Sequence, residues 1–388
     1  MSPIPVLYDE DTLLHHSMEL LGHKLIDAYE SPDRIRRILD AMAHSLSLIK
    51  LVQVHRSSED VISQAALSNV HSKAYIEHLK TIFDRLLEVD GAEEDGCILP
   101  ECFPHCSLLH MRDVGSGNER ENGDGETSSS MIKGFRQPKD IFAHLGYYSF
   151  DLSSGMSKHT FRSAIAAVHL ALRGVDLLLE GSHPTVFALT RPPGHHSCRS
   201  LAGGYCYLNN AVIAADYLLE KLGPLTGQDD AQSRVVILDL DFHHGNGTQS
   251  LTYNKKEPAY ISIHGEDEYP YYTGGADEKG VGEGEGYNFN LPLAARPNSN
   301  RDNYVGALVS ALDIIQTKWK PTYLLVSMGF DTFWKDPLGA FELDVDDYRV
   351  IGRHIRSMGV PVLALLEGGY SDELGDLVVK FLEGLQSE

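Results

Sequence analysis

Residues 234–248 read RVVILDLDFHHGNGT, and the reading of the fold starts there. The run VVIL at 235–238 is uninterruptedly apolar and rich in β-branched residues, the pattern of a strand covered on both faces in a parallel sheet. Reactive groups then sit at the strand's end. Side chains alternate along an extended segment, so Asp239, Asp241 and His243 are expected on one side, two carboxylates and an imidazole suited to a divalent cation. Gly245 and Gly247 let the backbone turn away behind them.

Outward from this stretch, the chain beyond about residue 140 alternates amphipathic helices with short apolar runs, as stacked βα units do. Helices are expected over 160–180, 209–222, 302–320 and 344–358. The apolar runs TVFALT, VVILDL, AYISIH, YLLVSMG and VPVLALLE lead respectively into RPPGHH, DFHHGNG, GEDEYPYY, FDTFWKDP and GGY. Ligand sites in open parallel sheets lie outside the carboxyl ends of the strands, so these five loops are expected on one rim. The expected fold is α/β, a single three-layer αβα domain over residues 1–388 with a mostly parallel central sheet. Residues 1–90 read as helices and loops flanking that sheet, with RIRRILDAMAHSL at helical spacing. From about 91 to 139 the chain turns polar and Gly-rich, and ERENGDGETSSS marks a flexible insertion.

A formal net charge of −22 argues against nonspecific nucleic-acid or anionic-membrane binding, which both need a cationic face, and it favours a cationic substrate. The N-terminus is acidic where a signal peptide needs a basic start, and no run of about twenty apolar residues is present. Five cysteines fit a reducing compartment better than a disulfide framework. An intracellular, cytoplasmic protein is expected, with the nucleus open to it. Cys97, Cys102, His105, Cys106 and His110 lack the Cys-x-x-Cys pairs of a structural zinc site. GVGEGEG at 280–286 carries glutamates that would repel phosphates. Asn246-Gly-Thr matches a glycosylation acceptor but lies inside the proposed metal loop.

Asp331, leaving another strand at the same rim, is the best third ligand beside Asp241 and His243, and three ligands leave a position for water and substrate. Two carboxylates cancel the charge of a divalent ion, so its water is acidified less and a general base is wanted. His195 and His196, on the Pro192-Pro193-Gly194 loop, can supply one, with Asp239 orienting one imidazole and Asn246 the other. Tyr370, behind Gly368 and Gly369, can donate to an oxyanion.

RPPGHH, GGYCYLNNA, DLDFHHGNGT, SIHGEDEYPYYTGG, GFDTFWKDPLG and EGGY together resemble the zinc-dependent histone deacetylase superfamily with its arginase-like α/β fold. GYYSFDLSSGM at 146–156 and ADEKGVGEGEGYNFNLPL are similar to its acetylpolyamine amidohydrolase branch. The resemblance implies one Zn2+ per chain on Asp241, His243 and Asp331. It implies Tyr370 as the group polarising an amide carbonyl, His196 as general base and then acid, and His195 as its electrostatic partner. Asp239 matches the aspartate paired with the first histidine, and Asn246 stands where some members carry a second aspartate. Gly204, Tyr205, Tyr272 and Leu338 match the lining of a substrate tunnel. A monovalent cation, K+, is implied beside Asp239, Asp241, His243 and Ser262. The implied activity is zinc-dependent removal of acetyl from an N-acetylated amine, foremost a small cationic one such as an acetylpolyamine, and in second place an acetyl-lysine protein substrate. Glu93, Glu94, Asp95 or Glu101 would meet a distal ammonium, and a homodimer is implied. A ureohydrolase on the same fold is disfavoured because Thr332 and Phe333 follow Asp331, and a non-catalytic binding module because no ligand is missing.

Overall fold

The computed structural model describes residues 2–21, 23–45, 47–54, 61–89, 95–104, 137–224, 232–299 and 301–387. Its centre is one eight-stranded sheet. In chain order the strands are β1 (Ile4–Tyr8), β2 (Ile49–Gln53), β3 (Thr185–Ala188), β4 (Val235–Asp239), β5 (Ala259–Gly265), β6 (Asn288–Leu293), β7 (Tyr323–Met328) and β8 (Val362–Leu366). They lie in the order β6-β5-β4-β7-β8-β3-β1-β2, and every neighbouring pair is parallel.

Strand alternation divides the core in two. Val236, Leu238, Val326 and Ala364 face helices Pro32–Met42, Arg301–Ile314, Val345–Arg356 and Leu374–Gln386, whereas Val235, Ile237, Leu325 and Leu365 face Lys73–Leu87, Thr160–Leu179 and Asn210–Leu222. Both faces are thus covered, which is why the strands read as continuous apolar runs. The expected helices form at the expected places: Asn209 caps its helix by accepting from the Val212 amide, and Asp344 and Asp347 make a reciprocal capping box. The helix after Arg301 runs into a π-helical turn, Ile315–Trp319.

The first ninety residues correct the reading of helices and loops. IPVLY and IKLVQ are sheet strands β1 and β2, and a small antiparallel pair, Met18–Leu21 with Lys24–Asp27, lies between them. Pro5 interrupts IPVLY, and β2 lies at the sheet's edge, half-exposed, with Lys50 and Gln53 in it, so neither announces itself as the central strands do. Most of the 91–139 insertion, including His105, Cys106 and His110, lies outside the described residues. Cys97–Ile98 pairs with Met156–Ser157, and Cys97 and Cys102 carry free thiols. Among the described residues no helix is long and apolar enough to cross a membrane.

Candidate active site

Because all eight strands run parallel, the loops leaving β3, β4, β5, β7 and β8 emerge on one rim, and their reactive side chains meet there. Asp241 and His243, just past β4, converge with Asp331, just past β7. Ligand-capable atoms of the three lie within 4.8 Å of one another. His243 Nδ1 is 3.2 Å from Asp241 Oδ1 and 3.0 Å from Asp331 Oδ2. Backbone amides hold both carboxylates: Phe242 N donates to Asp331 Oδ1 at 2.8 Å, and Gly368 N to Asp241 Oδ2 at 2.8 Å.

The electrostatics of this corner call for a cation. Burial, with the neighbouring Asp241 charge, pushes Asp331 up to about 7. His243 is pushed up to about 10, because hydrogen bonds to both carboxylates outweigh the effect of its burial. Burial would likewise raise Asp241, but His195 and His243 hold it below the usual carboxylate range. Two buried carboxylates and an imidazole nitrogen thus face one point, a charge arrangement that a divalent ion there would neutralise. Gly368 keeps the space clear: a Cβ there would lie 2.4 Å from Asp331 Oδ2 and 2.7 Å from Asp241 Oδ2. The donor set, two carboxylates and one imidazole nitrogen, fits a zinc ion.

The two histidines of the β3 loop are differentiated by their partners. His195 Nδ1 donates to Asp239 Oδ2 at 3.2 Å, and burial is outweighed by Asp241 and Asp239, so its pKa is pushed up to about 10. His196 Nδ1 donates to Asn246 Oδ1 at 2.8 Å, which leaves its Nε2 lone pair free to take a proton. Burial, then the charges on His195 and His243, hold the His196 pKa well below its ordinary value. A neutral amide opposes this less than a carboxylate would. Asn246→Asp is expected to raise the His196 pKa and so move the acid limb of the kcat/KM profile to higher pH by about one to two units. An unmoved acid limb would exclude His196 as the group titrating there.

Tyr370 is 9% exposed, and its ring stands edge-on to Tyr205 with centroids 5.7 Å apart. Burial drives its pKa well above the ordinary phenol value, against the opposing effect of Arg34, so at neutral pH it is a donor. Arg34 lies 4.9 Å over the ring and donates through Nε to the Gly369 carbonyl at 2.6 Å.

The predicted lining is brought together in part. Gly204 lies against His196, where a Cβ would meet Cδ2 at 2.2 Å. Tyr205, Tyr370, Leu338 and Ala28 pack as one cluster. Tyr272 is not in the wall: it is 92% exposed. The tyrosine of that loop which reaches the site is Tyr269, with its ring 5.0 Å from His196 and 5.9 Å from His243 and its hydroxyl donating to Asp151 at 2.6 Å. Ser262 sits opposite Asp239 in the β4–β5 register, with its hydroxyl 2.8 Å from His264 Nδ1.

Several participants carried no separate signal in the sequence. Glu19 accepts the Tyr205 hydroxyl at 2.8 Å, and Tyr260 donates to Asp239 at 3.0 Å. Glu367 accepts from the Gly194 amide at 2.7 Å, tying the β8 loop to the histidine loop. Only its place in EGGY, beside the phenol, could have pointed to Glu367. Beside Tyr370 opens a cavity of about 1010 Å³ whose walls include Asp27, Glu30, Asp95 and Lys335. Arg36 and Arg37 also line it, each paired with an aspartate, Asp33 at 2.6 Å and Asp372 at 2.8 Å. Glu93 and Glu94 lie outside the described residues.

A parallel sheet that brings two acids, a histidine, a histidine pair and a phenol to one rim has the groups that hydrolysis of an amide needs. The histone deacetylase domain family matches residues 28–385, and the chain belongs to that family. It is an amide-bond hydrolase of the deacetylase type. The chain is similar to acetylpolyamine amidohydrolase 2 of Pseudomonas aeruginosa, 35% identical over 98% of each chain. It is also similar to the acetylpolyamine amidohydrolase of Mycoplana ramosa, at 32% identity over 98% of this chain and 99% of that one. The solved structure of an acetylpolyamine aminohydrolase from Burkholderia pseudomallei superposes with a TM-score of 0.79 at 27% identity, covering 98% of both chains.

Proposed function

We propose that this protein hydrolyses N-acetylated polyamines to the free amine and acetate, with one zinc ion held by Asp241, His243 and Asp331. The observation that carries the reading is the convergence of these three donors with His196 and Tyr370 on one rim. Zinc, when bound, supplies Lewis acidity for the amide carbonyl and the attacking water.

The chain's own groups account for the rest. His196, unprotonated at Nε2, accepts the proton of the attacking water, and Asn246 keeps its tautomer fixed. The Tyr370 hydroxyl donates to the oxyanion of the tetrahedral adduct, a charge absent from the ground state, so the bond strengthens as the barrier is climbed. His196 then returns the proton to the departing nitrogen. His195, locked to Asp239, places a positive field beside it. Tyr205 and Tyr269 offer aromatic walls to an aliphatic stem, and Gly204, without a Cβ, lets the His196 ring lie against the backbone. Asp239, Asp241, His243 and Ser262 are the proposed holders of a K+ ion beneath the metal corner. Asp27 and Asp95 in the cavity wall, together with the net charge of −22, favour a substrate with a distal ammonium.

The test is acetate release from a panel of acetylated polyamines, acetyl-lysine peptides and longer-acyl lysines, with and without chelator and added zinc. Turnover fastest on acetylpolyamines, lost to the chelator and restored by zinc, is expected. Clear preference for the peptides would keep the chemistry and move the substrate to protein lysine.

A further inference from the structure

The phenol of Tyr370 hangs from a backbone with little preference of its own. Gly368 and Gly369 precede it, and Gly369 stands at φ +117°, a conformation open to glycine and costly for other residues. Something outside the segment must therefore set where Tyr370 points. Arg34 holds the Gly369 carbonyl from one side. On the other, the Tyr370 amide donates to Asp336 Oδ2 at 2.6 Å.

Asp336 does more than accept that one bond. Its other oxygen, Oδ1, accepts the Leu338 amide at 2.9 Å, and Leu338 packs with Tyr205 and Tyr370 in the wall beside the site. The side chain is 3% exposed, so water does not compete for either oxygen. Asp336 also sits on the loop that begins with Asp331. That loop folds back so tightly that a Cβ on Gly339 would lie 1.6 Å from the Asp331 carbonyl oxygen. One loop thus presents a metal-competent carboxylate at its start and, five residues on, the acceptor that fixes the phenol.

We propose that Asp336 is a positioning residue for the reaction, its carboxylate fixing Tyr370 through one oxygen and the Leu338 wall through the other. The proposal rests on the reading of Tyr370 as the donor to the oxyanion. A carboxylate is required because two N–H groups need two acceptor atoms. An asparagine offers one acceptor and would set an NH2 against the second amide. Asp336 makes no bond with substrate, and its larger contribution is to the orientation of a donor, so its loss falls mainly on kcat.

The test is a double-mutant cycle on acetylpolyamine hydrolysis with wild type, Asp336→Asn, Tyr370→Phe and the double variant. Asp336→Asn is expected to lower kcat about ten- to a hundredfold, the scale of a displaced catalytic group, with KM changed far less and zinc content at the wild-type level. In the double variant the loss should not exceed that of Tyr370→Phe by more than about twofold, because a displaced phenol and an absent one are equally useless. Losses that multiply, or a wild-type kcat in Asp336→Asn, would overturn the proposal. Wild-type kcat in Tyr370→Phe alone would instead sink the reading of the phenol on which it rests. If Asp336→Asn does not fold, Asp336→Glu, which keeps the charge and moves it by one methylene, is measured in its place with the same expected split. A folded Asp336→Glu with unchanged kcat overturns the proposal equally.

Discussion

Tyr370→Phe is expected to lower kcat by about a hundred- to a thousandfold while KM moves little, since removing one oxyanion donor costs on that order. The substitution deletes a single oxygen from a ring that is otherwise buried among Tyr205, Leu338 and Arg34. The fold should therefore persist, and zinc content should stay at one equivalent per chain, since the proposed ligands lie on other loops. The split between kcat and KM is diagnostic: a donor used only when charge develops on the carbonyl oxygen contributes to the transition state and not to the bound substrate. Steady-state kinetics with metal analysis on the same preparation checks it. Turnover close to wild type with zinc retained would remove Tyr370 from the mechanism.

The second large effect concerns a residue with no side chain. Gly368→Ala is expected to lower zinc affinity about ten- to a hundredfold, and activity with it, as loss of support around a metal site does. The new Cβ would press on Asp331 Oδ2 and Asp241 Oδ2 together, at 2.4 and 2.7 Å. Neither carboxylate has room to yield. Asp241 is also held by the His243 amide at 2.9 Å and Asp331 by the Phe242 amide at 2.8 Å, and both are buried. Because φ at 368 lies outside the left-handed region, the expected defect is steric and local, and circular dichroism should be unchanged. Competition with a chromophoric chelator reads the affinity, and added zinc should recover part of the activity. Wild-type affinity would show that the two carboxylates do not need that space.

How much of this was legible in the sequence depends on how regular the chain is at each point. Strands β3 to β5, β7 and β8 were readable because a strand covered on both faces must be apolar throughout. That Asp241, His243 and Asp331 share a rim followed from the topology, since parallel strands send all their following loops to one end of the sheet. The same logic delivered His195, His196 and Tyr370 to that rim. β1 escaped notice because Pro5 interrupts IPVLY, and β2 because IKLVQ carries Lys50 and Gln53 on a half-exposed edge strand, so neither reads as an unbroken apolar run.

The tyrosines of EDEYPYY mark where one-dimensional reading ends. Three of them crowd into four residues, and which ring enters the site depends on local backbone reversals, with φ of +55° at Asp267 and +69° at Tyr271. Positive φ at a non-glycine residue is unusual and is imposed by the surroundings, so Tyr269 turns inward and Tyr272 outward for reasons that spacing does not carry. The sequence by itself determined the layered architecture and the chemical groups on the rim, because strand burial and parallel topology are written in local pattern. The tertiary structure alone decided which partners those groups meet: Glu367 on the Gly194 amide, Tyr260 on Asp239, and Asp336 on Tyr370. These are contacts between residues 21 to 173 positions apart, and no local pattern records them.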